Sequence, residues 1–164
     1  ITEDRKGTGL NLSGTVNDNI AMVAIKKLLT NGLYNKSKAY KASQEYIEKL
    51  NIKTPSANQI VGNLSGGNQQ KVVIAKWLLN EPDIIILDEP PRGIDVGAKR
   101  DIYLLLGKLV QQGKAVIMIS SEIPELMGIC DRVLVMCEGN DSGEVKREDF
   151  SQERIMTLAS AITV

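Results

Sequence analysis

The stretch that decides the fold is DIIILDEPP, residues 83–91. Residues 84–87 are apolar without alternation, whereas a strand with one solvated face alternates apolar and polar side chains. Such a run predicts a strand buried on both faces, as in a parallel sheet that is covered by helices. Asp88 and Glu89 then place two carboxylates at the carboxyl end of the strand, which is the edge where open α/β sheets bind ligands.

Helix and strand patterns alternate after this strand. VGAKRDIYLLLGKLVQQG predicts a helix that ends at Gly113, and AVIMIS at 115–120 predicts a second, fully apolar strand. A short helix around 124–127 is followed by RVLVMCEGNDSGEV at 132–145, which predicts two strands joined by a tight turn. A last helix spans about 151–160. This alternation favours an α/β fold with a parallel sheet flanked by helices.

The first half of the chain is predicted to be mainly helical. NDNIAMVAIKKLLTNG predicts a helix with Gly32 past its end, KSKAYKASQEYIEKLNI predicts a second helix, and residues 68–80 predict a third. The expected organisation is a loop entering the helical block at 1–16, a helical subdomain at 17–67, an α/β core that carries the acidic strand end at 68–150, and a C-terminal helix at 151–164.

The overall composition excludes several classes of function. The 20 basic and 20 acidic residues cancel, so the charge balance gives no reason to expect nucleic acid as a partner. The longest apolar runs are about five residues, whereas a membrane span needs roughly 20. The chain has no histidine, the usual general base and metal ligand. It starts ITEDRKGTGL, which we interpret as the end of a strand within a longer polypeptide.

A second informative stretch is LSGGNQQ, residues 64–70, at the predicted start of a helix. A helix N-terminus has free backbone N–H groups and a partial positive charge, and therefore favours anions. Ser65 stands at the cap position, and Gly66 and Gly67 would let a phosphate approach the backbone closely. Asn68 and Gln69 add amide donors. The stretch therefore predicts a helix start that faces a phosphate.

This element is too weak to hold a nucleotide alone. A helix terminus contributes about 0.3–1 kcal/mol to anion binding, whereas micromolar affinity requires about 8 kcal/mol. The phosphate-loop pattern G-x-x-x-x-G-K-[ST] would supply the rest. Gly62 and Gly67 have its spacing, but Asn68 and Gln69 follow instead of lysine and serine or threonine. We therefore expect the chain alone not to bind ATP tightly.

Four motifs in order carry a resemblance to a known family: LSGGNQQ, IIILDEP, RGIDVGAKRDI and AVIMISSE. Together they resemble the ATP-binding cassette family, over the chain from Thr2 to about Val145. TEDRK, LSGGNQQK, DVGAK and SSEIPEL are similar to the second cassette of the tandem ATP-binding subunits of ribose/galactose-type monosaccharide importers. The resemblance implies the ATP-hydrolysing core of that family, without its phosphate-loop part and with a helical subdomain.

The resemblance also implies roles for individual residues. In such ATPases the Ser-Gly-Gly segment of one cassette covers the γ-phosphate of ATP that is held by the other cassette. Carried over, the ATP-contacting residues would be Ser65, Gly66, Gly67, Asn68 and Gln69, together with Asp95 in the loop 93–95 and Ser121 at the switch position. Asp88 would hold Mg²⁺, with Glu3 as a further ligand, and Glu89 would polarise the attacking water.

Two of these positions depart from the family pattern. Glu3 stands where most cassettes carry glutamine, and Ser121 stands where they usually carry histidine. In the resembling importers the second cassette's own phosphate loop is often degenerate. The working site would then pair Ser65 with the first cassette's loop, and Asp88 and Glu89 would belong to the weaker site.

The implied partners are a first cassette in the same longer chain, a membrane permease contacted by residues 17–50 and, indirectly, a periplasmic or extracellular sugar-binding protein. The implied location is the cytoplasmic face of the cell membrane. Two alternatives stay open. One is a non-transport ATPase of the chromosome or repair class, although residues 17–50 lack the sustained heptads of its usual coiled coil. The other is a regulatory half-cassette with weak catalysis.

Overall fold

A computed structural model describes residues 1–90 and 93–160 of the chain. The chain divides into two compact units, 1–119 and 120–164. Positions 161–164 of the second unit lie outside the described residues. The helices are α1 (Val16–Ala21), α2 (Lys36–Lys49), α3 (Gly66–Leu78), α4 (Val96–Gln111), α5 (Ile123–Ile129) and α6 (Gln152–Ala159). The strands are β1 (Leu29–Thr30), β2 (Leu33–Tyr34), β3 (Ile84–Asp88), β4 (Ala115–Ile119), β5 (Arg132–Cys137) and β6 (Asn140–Lys146).

Helix α3 is the centre of the first unit. It is buried on nearly all sides although it carries the polar residues Gln69, Gln70, Lys71 and Lys76, and residues 72–75 are at most 1% exposed. Helices α1, α2 and α4 pack against it. The compact units divide between Ile119 and Ser120, within the segment 68–150 that the sequence analysis treats as one α/β core.

Strands β3 and β4 form the predicted parallel pair, in register from Ile84 opposite Ala115 to Asp88 opposite Ile119. The prediction that β3 is buried on both faces is wrong for this chain. Ile85 and Leu87 are buried, but the alternate side chains point away from the core. The exposed side, called here the isoleucine face, comprises Ile84 (61% exposed), Ile86 (52%), Ile117 (51%) and Ile119 (52%). The described residues cover only the other side of the pair.

The helix predicted from residue 17 towards Gly32 is also wrong in its extent. Helix α1 ends at Ala21, and a short 3₁₀ helix and the β1–β2 hairpin follow. Asn31 and Gly32 form the hairpin turn with φ of 51° and 79°. Positive φ at both central residues matches the right-handed twist of paired strands, and Asn-Gly adopts it at low energetic cost. Helix α2 confirms the second predicted helix.

The second unit is a hairpin with two helices. Strands β5 and β6 pair antiparallel, which confirms the predicted pair of strands, and α5 and α6 confirm the two short helices. Its core consists of Val133, Val135, Val145 and Ile155. Across residues 1–90 and 93–160, no helix is long and apolar enough to cross a membrane.

Candidate functional site

Ser65 occupies the N-cap position of α3, as predicted, but its hydroxyl does not cap the backbone. Instead the Asn68 side chain donates from Nδ2 to Ser65 Oγ at 2.8 Å. The other end of the same amide, Asn68 Oδ1, accepts the Lys53 N–H at 2.7 Å. Asn68 therefore ties the exposed serine hydroxyl to the loop that precedes α3. Ser65 keeps its hydroxyl at the surface, in a position that the protein defines.

The backbone at the start of α3 keeps free donors. The first helical hydrogen bond runs from Gln69 N–H to Ser65 O at 2.9 Å. Within the described part of the chain, no acceptor contacts the N–H groups of Gly66, Gly67 or Asn68. Unpaired N–H groups at the first turn of a 13-residue helix are donors with partial positive charge, and such groups stabilise a nearby phosphate.

Gln69 occupies a different environment from its neighbours. Its side chain is only 4% exposed, and Nε2 donates to the carbonyls of Val61 and Gly62 at 3.2 and 3.4 Å. Because its amide donor is engaged inside the fold, Gln69 holds the loop before α3 in place. Gln69 is thus buried, whereas Ser65 and Asn68 are not.

The two carboxylates predicted at the end of β3 are both half-buried, and their backbones are held on either side. Asp88 N–H donates to Ile1 O at 3.0 Å, and Glu89 N–H donates to Ile119 O at 2.9 Å. Glu89 has φ of 43°, a left-handed conformation that costs a non-glycine residue on the order of 1–3 kcal/mol. The pairing with Ile1 brings the segment that carries Glu3 to the same end of the strand.

A magnesium ion fits this edge only together with other ligands. Among the described residues, no three Asp, Glu, Cys or His side chains cluster as a metal site. Glu3 lines a shallow depression of about 400 Å³ with the three residues that follow it. Mg²⁺ is commonly held by one or two carboxylates, with phosphate oxygens and waters completing its octahedron. Asp88 and Glu3 each supply a carboxylate of the kind that Mg²⁺ prefers, and phosphate oxygens and waters would have to supply the remaining ligands.

The loop before α4 lies directly against the start of α3. Asp95 is the N-cap of α4, and its Oδ1 accepts the Ala98 N–H at 2.9 Å. A Cβ placed on Gly66 would lie 3.4 Å from both Gly93 O and Ile94 Cγ2. The structure thus brings the segments 65–68 and 93–95 together. Ser121 is exposed and belongs to the second compact unit.

Two cations beside this site, Lys71 and Arg5, were given no role from the sequence. Lys71 is a buried charge directly before the apolar run 72–75 of α3, and its Nζ donates to Asp101 Oδ2 at 2.9 Å. This hydrogen bond lowers the pKa of Asp101. Arg5 reaches Gln70 Oε1 at 3.5 Å, and burial lowers the pKa of its guanidinium. Arg5 lies in the TEDRK stretch that carries the family resemblance, but no role of its own follows from the sequence.

Comparisons with known proteins find chains of similar sequence. The ribose import ATP-binding protein RbsA of Clostridium tetani is 54% identical over 99% of this chain and 32% of its own length. The L-arabinose transport ATP-binding protein AraG of Geobacillus stearothermophilus is 48% identical over the whole chain and 32% of its own length. The chain thus spans about a third of these relatives.

A solved structure has a similar fold. The ATP-binding cassette MJ0796, in a dimeric post-hydrolysis state with ADP and Pi, superposes with a TM-score of 0.72 at 28% identity. The superposition covers 87% of this chain and 62% of that cassette. The fold is accordingly the α/β fold of ATP-binding cassettes, as predicted. The family model described as ABC transporter matches residues 5–92. With more than half of its residues matched, the chain belongs to the ABC transporter family.

Proposed function

We propose that the chain is part of an ATP-binding subunit that hydrolyses ATP to drive the import of a monosaccharide through a membrane permease. The names of two similar proteins, one for ribose import and one for L-arabinose transport, support this activity. Because the two names give different sugars, the proposal extends to the class of substrate and not to one member. In this proposal the chain supplies half of an ATP site and a second cassette supplies the other half.

The observation that carries the proposal is the start of α3. Ser65 is exposed, and the three following backbone N–H groups have no acceptor within the described residues. The chain has no phosphate loop of the G-x-x-x-x-G-K-[ST] type, so this helix start has no anchor of its own for a nucleotide. A helix terminus adds at most about 2 kcal/mol to anion binding, which is consistent with a segment that covers a phosphate held mainly by other residues. Ser65, Gly66, Gly67 and Asn68 would therefore cover a phosphate that another cassette binds.

The strand end supplies the second set of roles. Asp88 and Glu3 would hold Mg²⁺, which when bound neutralises charge on the phosphates. Glu89, held by its backbone at the turn after β3, would orient the attacking water and accept its proton. Asp95, which caps α4 beside the start of α3, would contact the ATP that Ser65 covers. Ser121 would act at the switch position.

The isoleucine face supports the view that more protein packs here. Its four side chains are each more than half exposed, and contiguous apolar surface of this kind marks an interface. The chain also covers only 62% of the superposed cassette. We propose that the remainder of the cassette, in a longer polypeptide, covers the isoleucine face.

The permease would contact residues 17–50. Leu33 at 76% and Tyr34 at 44% are exposed apolar side chains in the β1–β2 hairpin of this segment, and they would bury apolar area in such a contact. A sugar-binding protein outside the cell would act through the permease. The subunit would lie on the cytoplasmic face of the membrane. Cysteines placed at 33 or 34 should crosslink to the permease, whereas crosslinks from α6 alone would contradict this surface.

The experiment that tests the ATP site compares three variants of the full-length tandem protein. Ser65→Arg places a bulky side chain where the phosphate must approach, and should abolish most steady-state ATP hydrolysis. Glu89→Gln should have the smaller effect, because Glu89 would belong to the weaker of the two ATP sites. Ser13→Arg, an equivalent change at another exposed serine, is the control.

Two results would contradict the assignment. Loss of activity in Glu89→Gln with most activity kept in Ser65→Arg would make this half the catalytic one. Tight ATP binding by the 164-residue chain alone, at micromolar affinity or better in isothermal titration, would show that it does not need a second cassette.

A further inference from the structure

The two glycines at the start of α3 have different surroundings. At Gly67, which is buried, an added Cβ would overlap the Cβ of Ala98 in the first turn of α4, and would lie 4.0 Å from Asp95 Oδ2. At Gly66 the nearest atom is the guanidinium Nη2 of Arg5, at 3.3 Å. The Ala98 methyl is attached directly to the backbone, so it cannot rotate away as a long side chain could.

Gly67 is therefore required for packing. It lies in the first turn of α3 and does not have the positive φ that would demand glycine. Glycine within a helix is less stable than alanine, so its presence needs another reason. The close approach of Ala98 supplies that reason.

A second contact joins the same two helices one turn further on. Lys71, one turn after Gly67, donates to the carboxylate of Asp101, which follows Ala98 by about one turn of α4. Lys71 Nζ is buried and also donates to Asn51 O at 3.2 Å, so this cation is fixed in place. Helices α3 and α4 thus meet at two places, the close contact of Gly67 with Ala98 and, about one turn further along, the ion pair of Lys71 with Asp101.

We propose that the contact between Gly67 and Ala98 is a positioning device that makes Ser65 and the loop 93–95 move as one body at the ATP site. Ala98 is the positioning residue, since its methyl contacts Gly67 and its N–H is bound by Asp95. A displacement of the Asp95 loop is thereby transmitted to the serine that covers the phosphate. This inference rests on the proposed function, and it adds a coupling between the two segments of the site.

Steady-state hydrolysis and binding of a fluorescent ATP analogue in the full-length protein test the coupling. Gly67→Ala forces the two helices apart and should lower kcat by about tenfold to a hundredfold, as expected for a misplaced positioning contact. Binding of the analogue should change little, because the other cassette holds the nucleotide. Gly67→Ala combined with Ala98→Gly moves the methyl to the other helix without overlap, and should restore most of kcat.

A purely structural role is distinguished by a control in the same helix. Val72→Ala shortens a fully buried side chain of α3 and leaves both Gly67 and Ala98 unchanged. At equal loss of thermal stability, Gly67→Ala should lose far more kcat than Val72→Ala.

Three results would overturn the inference: equal kcat losses in these two variants, no rescue in the double variant, or full activity in Gly67→Ala. Absence of ATP hydrolysis in the wild-type protein would overturn the proposed function as well, so the two failures are distinguishable.

Discussion

The substitution Ser65→Ala should change ATP hydrolysis far more than it changes the free energy of unfolding. Serine at a helix N-cap typically contributes about 1 kcal/mol, because its oxygen accepts a backbone N–H of the first turn. Ser65 Oγ makes no such bond and, among the described residues, accepts from the Asn68 side chain at an exposed position. An exposed neutral hydrogen bond has a net contribution of about 0.5 kcal/mol or less. We therefore expect Ser65→Ala to lower the free energy of unfolding of the 164-residue chain by no more than about 0.5 kcal/mol.

Thr15 provides the matched control within the same compact unit. Its Oγ1 accepts the Asp18 N–H at 3.0 Å, and the Asp18 carboxylate accepts the Thr15 N–H at 3.1 Å, which forms a capping box on α1. Thr15→Ala should therefore cost about 1–2 kcal/mol. Urea unfolding followed by far-UV circular dichroism measures both variants.

The functional half of the prediction uses the full-length protein. Because Ser65 would donate its hydroxyl to the covered phosphate, Ser65→Ala should lower ATP hydrolysis by about tenfold or more. A stability loss in Ser65→Ala as large as that in Thr15→Ala would refute the reasoning, since it would show that Ser65 caps α3 after all.

Three further predictions concern the framework of the site. Asp101→Asn should lower stability at pH 7 by about 0.5–1 kcal/mol, because the carboxylate is half exposed. Lys71 lowers the pKa of Asp101. The stabilisation is therefore present above the unfolded pKa near 3.8 and is lost as pH falls through the folded pKa. Unfolding curves at pH 7 and below pH 3.8 measure this loss. Asn19→Ala removes three buried hydrogen bonds of 2.8–3.0 Å and should cost about 2–4 kcal/mol in the same assay. Ile86→Lys on the isoleucine face should leave the fold of this chain intact but make the full-length protein more sensitive to limited proteolysis.

Local patterns in the sequence were enough to predict several elements. The unbroken apolar run at 84–87 and the second run at 115–120 predicted a parallel pair of strands, and the pair is observed. The start of α3 was predicted from Ser65 and the two glycines, because serine and glycine have conformational preferences that depend mainly on their own backbone. The motifs around these segments also carried the family assignment, since their order and spacing are properties of the linear chain.

Other features depended on partners that are distant in the sequence. Apolar residues on both sides of β3 predicted burial of both faces. Only the packed structure shows that the chain's own helices cover just one of them. The same holds for Gln69, whose amide nitrogen donates to carbonyls of the preceding loop.

Gly67 shows the limit of sequence reasoning most directly. The sequence by itself determined that a small residue stands at the first turn of a helix, and suggested a phosphate as the reason. Only the tertiary structure decided that the methyl of Ala98, from another helix, fills the space a side chain would need. The physical reason is that steric exclusion acts over a few ångströms in space, whereas the periodicity of a sequence describes a single element and not the atoms that pack against it.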